Sequence, residues 1–160
     1  MLVTKIISGG QTGVDQSALR VATELHLEMG GWCPPGRVCE VGTIPSHFPL
    51  QETHNDRSSD NPTTPRSERT RWNVRDSDAT LVICPKGLKH SNTEWAIECA
   101  RNYGRPFLVI DPNAKESSGK IREWLENLKI HTLNVVGPSE SSSVGIGDKS
   151  YQILHKVFAI

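Results

Sequence analysis

The residues in this chain best suited to chemistry are hydrogen-bond donors and glycines rather than nucleophiles. Ser8, Gly9, Gly10, Gln11, Thr12 and Gly13 follow a short apolar run and precede a segment of helical period that opens on Val14 and Asp15. Glycines at such a handover let the backbone turn tightly and approach a ligand, and Thr12 is placed to cap a helix starting about Gly13. The unpaired amides at that helix start, with the positive end of its dipole, suit an anion such as phosphate. A second turn of this kind, "CPKGLKHSNTEWAIECA", sets Lys86 and Gly87 before a helix starting near Thr93, with Ser91 or Asn92 as its cap. A third, "VVGPSESSSVGIGDKSY", carries Glu140 and Asp148. Arginines gather in "RSERTRWNVRD", where Arg66 and Arg69 share a helical face and can clamp an anion through their planar forks. The competing readings are a plain tight turn, solvated lysines (Lys89 above all) and a solvated arginine face.

Catalytic constellations are sparse. The histidines His26, His47, His54, His90, His131 and His155 match no metal-binding spacing, and the chain holds no P-loop, no G-x-G-x-x-G and no nucleophile elbow. Asp76 and Asp78 resemble paired acids but precede a strand, which puts them at the wrong edge of a parallel sheet. Cys33, Cys39, Cys84 and Cys99 fit no common zinc pattern. Cys84 and Cys99 read as reduced thiols on apolar faces; Cys33 and Cys39, in a loop, are the candidates for a reactive thiol. The pattern argues for binding more strongly than for turnover.

These turns need a scaffold, and the sequence supplies one. Val3–Ile7, Ala79–Ile83, Pro106–Ile110 and Thr132–Val136 are nearly continuous apolar runs, as strands covered on both faces are, and Leu27–Trp32 is a weaker fifth. Stripes of helical period lie between them, the cleanest being Ile121, Trp124, Leu125 and Leu128. Strand alternating with helix predicts an α/β fold, a three-layer α/β/α sandwich on a mainly parallel sheet of about five strands. The expected organisation is one domain over residues 1–160 with a long irregular loop at about 34–65. Through Glu52 that loop is expected to pack through Val38, Ile44, Phe48 and Leu50, while Thr53–Pro65, with nothing apolar to bury, is expected to be mobile. In such sheets ligands sit beyond the C-terminal strand ends, where all three polar turns fall.

Composition sets the outer limits. The 160 residues carry 18 basic and 18 acidic side chains, so no broad nucleic-acid or membrane-binding face is expected and any anion site is local. No apolar run approaches the roughly 20 residues of a membrane span, the N-terminus has no secretory pattern, and a cytoplasmic location follows as the expectation.

"ISGGQTGVDQSAL", "GGWCPPGRVCEVGTIPSHFPLQET", "RTRWNVRDSDATLVI" and "LNVVGPSES", in this order along nearly the whole chain, resemble the family of molybdenum cofactor carrier proteins. That family lies in the Rossmann-like superfamily that also holds the lysine-decarboxylase-like phosphoribohydrolases. The resemblance implies a ligand, molybdenum cofactor (molybdopterin): a pterin with a dithiolene and a terminal phosphate, bound for storage or transfer. It implies a homo-oligomer, and transient contact with molybdoenzymes or cofactor biosynthesis proteins. The Ser8–Gly13 turn would then cradle the phosphate or the pterin edge, with Gln11 and Asp15 available to the pterin. Arg69, Lys86, Gly87, Asn92 and Thr93 would complete the site, with no metal ligand from the protein.

Two departures matter, one from the carrier family's own pattern and one from the phosphoribohydrolases. Their P-G-G-x-G-T-x-x-E signature is here "PKGLKHSNTEWAIE", which lacks the second glycine before Thr93 and misplaces Glu94 and Glu98 for catalysis. The stretch "HNDRSSDNPTTP" is also longer than the carrier family's pattern. A non-catalytic carrier is the leading expectation; the alternatives are a nucleoside monophosphate phosphoribohydrolase-like enzyme and a nucleotide-sensing module.

Overall fold

The computed structural model describes residues 1–159; Ile160, the end of the expected domain, lies outside them. Five strands, β1 (Lys5–Ile7), β2 (Glu28–Gly30), β7 (Ala79–Ile83), β8 (Phe107–Ile110) and β9 (Thr132–Val136), form one sheet in the order β2-β1-β9-β7-β8, every pairing parallel. β7 sits inside the sheet and is buried along its whole length, which is why its sequence reads as an unbroken apolar run.

Five helices cover the two faces: α1 (Val14–Glu24), α2 (Ser67–Arg75), α3 (Ser91–Tyr103), α4 (Ser117–Asn127) and α5 (Ile146–Phe158). α1, α4 and α5 pack together and close the larger core, where Val14, Ala18, Ile121, Leu125 and Leu154 meet Ile6, Leu81, Ile83 and Leu133. α2 and α3 close the other face through Val74, Trp95, Ala96 and Cys99 against Val82 and Val136. The three-layer architecture expected from the sequence is the one observed, with β2 shorter than the predicted Leu27–Trp32.

The long loop contains short pairings of its own. β3 (Trp32–Cys33) pairs with β6 (Gln51–Glu52), and β4 (Val38–Cys39) with β5 (Gly42–Thr43) forms a hairpin whose tip is Glu40 and Val41. Ile44, Phe48 and Leu50 are buried with Leu19 and Cys33 in a third apolar cluster, as expected, but Val38 is exposed: it lies on the outer side of the hairpin. The expectation of a mobile Thr53–Pro65 is also corrected. Thr53, Ser58 and Thr64 are buried, and hydrogen bonds tie the segment to the start of α2. The Ser58 amide donates to Ser67 Oγ at 2.8 Å, and the Arg66 amide to Asp56 Oδ2 at 3.1 Å. Polar groups order this segment in place of an apolar core, a possibility that composition alone does not reveal.

Candidate functional site

The loops after β1, β7 and β9 and the start of α2 converge at the C-terminal edge of the sheet around a cavity of about 340 Å³. Gln11, Arg66, Arg69, His90, Ser91 and Ser139 are among its walls. Three of these residues hold a buried polar atom with no partner in the protein: Gln11 Nε2, Arg69 Nε and His90 Nδ1. Buried polar groups are nearly always paired, so unpaired ones around a single cavity mark a place where a ligand or water completes the bonding.

Arg69 is the centre of the arrangement. Its guanidinium lies 3.3 Å from Asp15 Oδ2, with side-chain exposures of 6% and 2%. Burial pushes the Asp15 carboxyl above its usual range, against the pull of Arg69 and of the Gln11 amide, which donates to Oδ2 at 3.2 Å. Arg66 stands one turn away on the cavity wall with φ 61°, a left-handed conformation rare outside glycine, held by the bond from its amide to Asp56. His90 is held below its ordinary range by burial and by Arg69 and Arg66, so its imidazole is neutral at neutral pH.

Three helix starts meet at this edge, and their amides are disposed differently. At α1 the Gln11 amide goes to Asp15, the Thr12 amide to Gln11 Oε1 at 3.0 Å and the Val14 amide to the Pro138 carbonyl at 3.4 Å. At α5 the Glu140 carboxylate accepts from the Gly145 and Gly147 amides at 2.6 and 2.9 Å. At α3 the amides of Ser91, Asn92 and Thr93 have no acceptor among the described residues, since the first bonded amide is that of Glu94, to the His90 carbonyl. This open helix end faces the cavity beside Arg66 and Arg69, a favourable setting for an anion.

Neither expected helix cap forms. Thr12 Oγ1 donates to Glu40 Oε1 at 2.5 Å and accepts from the Glu140 amide at 3.1 Å, while Gly13 takes the cap position of α1. α3 starts at Ser91, not near Thr93, behind an uncapped His90. Asn92 instead braces two neighbours, accepting from Thr70 Oγ1 and donating to the Pro65 carbonyl.

The other expected site residues are distributed as follows. Ser8 is fully buried and donates to the Val135 carbonyl at 2.6 Å. A Cβ at Gly9 would lie 2.2 Å from Arg69 Nη1, one at Gly10 (φ 84°) 2.7 Å from Ile44 Cδ1, and one at Gly13 (φ 79°) 2.5 Å from the Pro138 carbonyl. The glycines are therefore required by the arginine, the long loop and the β9 turn. Lys86 and Gly87 are exposed and outside the cavity wall, and Thr93 is buried with its hydroxyl on the His90 carbonyl. Glu94 and Glu98 are exposed and also outside the wall. Asp78 accepts from the His131 and Thr132 amides and Asp76 pairs with Arg75, so both stay at the N-terminal edge as structural braces.

Glu40 is the site residue that the sequence does not announce. From the hairpin tip its carboxylate takes bonds from the Thr12 hydroxyl and from the Ser141 amide (3.0 Å) and hydroxyl, while its own amide donates to Gln11 Oε1 at 2.8 Å. Its desolvation would raise the carboxyl pKa, but the Ser141 and Thr12 donors outweigh it and hold the group at about 2. On its far side lies a more apolar groove of about 630 Å³ bordered by Val41, Phe48 and Val144. Among the described residues no three His, Cys, Asp or Glu side chains form a metal cluster, and no helix is long and apolar enough to cross a membrane.

The strand order carries family information. Counted in chain order the five sheet strands lie 2-1-5-3-4; counting from β9 instead gives 3-2-1-4-5, the first five strands of the doubly wound order 3-2-1-4-5-6. The circularly permutated YpsA SLOG family model matches residues 6–158. The chain belongs to that family. Read as a permuted SLOG domain, its winding reverses between β9 and β7, and the cavity lies at that switch point, where open α/β sheets bind ligands. A solved structure from Syntrophus aciditrophicus SB, named "Putative molybdenum carrier protein", is 35% identical with a TM-score of 0.88, covering 99% of this chain and 96% of that one. No curated protein matches the chain.

Proposed function

We propose that this SLOG-family chain binds molybdenum cofactor and holds it unconverted, as a carrier. The observation that carries the reading is the cavity between the β1, β7 and β9 loops, with unpaired Gln11, Arg69 and His90 atoms and the open end of α3 around it. A phosphate monoester suits the α3 amides with Arg66 and Arg69, and the amide-and-amine edge of a pterin suits Gln11 and the serine loop. The dithiolene brings its own sulfur ligands to molybdenum, so the reading asks for no metal ligand from the protein. The name of the Syntrophus aciditrophicus structure agrees with it.

The carboxylates support holding over turnover. General acid–base work needs a pKa near the working pH. Glu40 is held at about 2; Asp15, which burial raises, is paired with Arg69 and lies off the cavity wall, as do Glu94 and Glu98. A homo-oligomer and a cytoplasmic setting belong to the same proposal.

The test is reconstitution. Purified chain is mixed with extracted cofactor and passed through a desalting column, and bound pterin is read by fluorescence after oxidation and molybdenum by mass spectrometry. Co-retention of both, reduced roughly tenfold or more in Arg66→Ala, supports the carrier reading, since a hydrogen bond to a charged group contributes on the order of 1.5–3 kcal/mol. A chain that retains neither but binds a nucleoside monophosphate at the same residues would transfer the site to a nucleotide-sensing module. Release of free base from that nucleotide would make it a hydrolase.

A further inference from the structure

β8 ends the sheet, and its outer edge is unpaired. The register Thr80↔Phe107 and Val82↔Val109, with the Thr80 amide on the Pro106 carbonyl and the Cys84 amide on the Ile110 carbonyl, directs the backbone groups of the even-numbered residues 106, 108 and 110 toward β7. The amides and carbonyls of Phe107 and Val109 therefore point outward, and no partner for them occurs among the described residues. Natural sheets usually guard such an edge with a lysine, a proline on the outward side or a bulge. Here the strand reads Phe-Leu-Val-Ile, Val109 is 48% exposed, and Pro106 lies on the inward-bonding set, where it blocks nothing.

We propose that this edge pairs with the same edge of a second copy, antiparallel about a two-fold axis at Leu108, so that one sheet runs through both chains. Only facing odd-numbered residues can exchange reciprocal bonds. Placing the axis at Leu108 sets Phe107 against the partner's Val109 and Val109 against the partner's Phe107. The same register brings Arg105, whose amide is bonded to the Ala100 carbonyl and one of whose guanidinium nitrogens donates to the Ser77 carbonyl at 2.7 Å, across from the partner's Asp111 just beyond each end of the ladder. Moving the axis by one residue either way loses that facing. An aromatic against a β-branched residue and an opposite-charge facing are the cross-strand pairs that stabilise sheets, and here both lie on the face where Phe107 packs beneath Arg101 of α3. On the other face Leu108, part of the larger core's fringe, meets the partner's Leu108 across the axis. The occupant is a second copy because the edge is complementary to itself in charge and in bonding. The inference gives the homo-oligomer of the carrier reading its interface and rests on that reading for this alone; cofactor binding is tested separately, since the edge belongs to none of the walls of the cavity.

The test uses the intact chain in sedimentation equilibrium and amide hydrogen exchange over a concentration series. Dimers whose Phe107 and Val109 amides gain protection as concentration rises support the proposal. Val109→Pro removes one outward amide without touching the β7 ladder, and Val109→Lys adds an edge charge at an exposed position. Each should convert the dimer to monomer with the thermal transition of a monomeric control preserved, while Val109→Thr should keep it. A chain that stays monomeric throughout, or an oligomer indifferent to both variants whose Phe107 and Val109 amides exchange as free ones do, would overturn it.

Discussion

Arg69 Nη1 and Asp15 Oδ2, from residues far apart in sequence, meet at 3.3 Å in the interior, and both side chains are all but closed to water. The pair ties the start of α1 to α2 and thereby fixes the wall on which the cavity depends. A buried charge left without its partner is costly, on the order of 3–5 kcal/mol. Asp15→Ala is expected to destabilise the chain by about that amount in urea denaturation. Asp15→Leu combined with Arg69→Met should lose less than the two single changes summed, because no uncompensated charge is then left inside. Strict additivity would mean that the two groups are not coupled.

Gly9 and Gly10 should fail through different neighbours. A methyl at Gly9 would sit 2.2 Å from Arg69 Nη1, the atom that pairs with Asp15, so Gly9→Ala should displace the guanidinium, weaken anion binding and cost part of the stability that the pair supplies. A methyl at Gly10 meets Ile44 and Leu50 at φ 84° and carries a left-handed penalty of roughly 1–2 kcal/mol. Gly10→Ala should therefore lower the thermal midpoint and expose residues 34–52 to protease. Unchanged anion binding in Gly9→Ala, or an equally protected 34–52 loop in Gly10→Ala, would contradict this division.

Glu40 predicts an acid-sensitive hairpin. Its folded pKa of about 2 lies below the ordinary 4.5, so its contribution is fully present above about 4.5 and is lost as pH falls toward 2. Backbone resonances of residues 38–43 and of Ser141 should shift together in the native chain with a midpoint near pH 2. In Glu40→Gln they should already sit at the acid position at neutral pH.

Thiol labelling should single out one cysteine. Cys33, Cys84 and Cys99 are buried and burial raises each thiol pKa, that of Cys99 to about 12, whereas Cys39 is half-buried on the hairpin. A disulfide-exchange reagent should label Cys39 first, and all four cysteines after denaturation. Rapid native labelling of Cys33 would show that the third apolar cluster opens readily. Of the two thiols that the sequence leaves as candidates, the structure retains Cys39.

The sheet and its helices were legible because their signal is local: continuous apolar runs for strands and a 3.6 period for helices. The polar turns of the edge were legible for the same reason. Their internal bonding was not. Gly9 reads as a turn residue, but its vacant Cβ position faces Arg69 in α2. Glu40 reads as one residue of a loop, yet its partners Thr12 and Ser141 lie 28 and 101 positions away. The order of Thr53–Pro65 depends on bonds to Ser67 and Asp56 that composition does not encode. Arg66 and Arg69 were legible as a pair, though not the division in which one is tied to Asp15 and the other to the left-handed start of α2.

Glu140, sitting on the amides at the start of α5, has a consequence for which ligands the edge can sort. An arriving anion meets a negative charge there, and at α1 it meets amides already committed to Asp15, Gln11 and Pro138. Of these three helix ends, α3 has the longest run of open amides, those of Ser91, Asn92 and Thr93. On the proposed reading, the edge would neutralise one phosphate group better than a second, because Glu40 borders the cavity and Glu140 already occupies the α5 amides. Under that reading valence, more than ring shape, would be the filter: a monophosphate would be favoured over the same molecule extended by a nucleotide through a second phosphate.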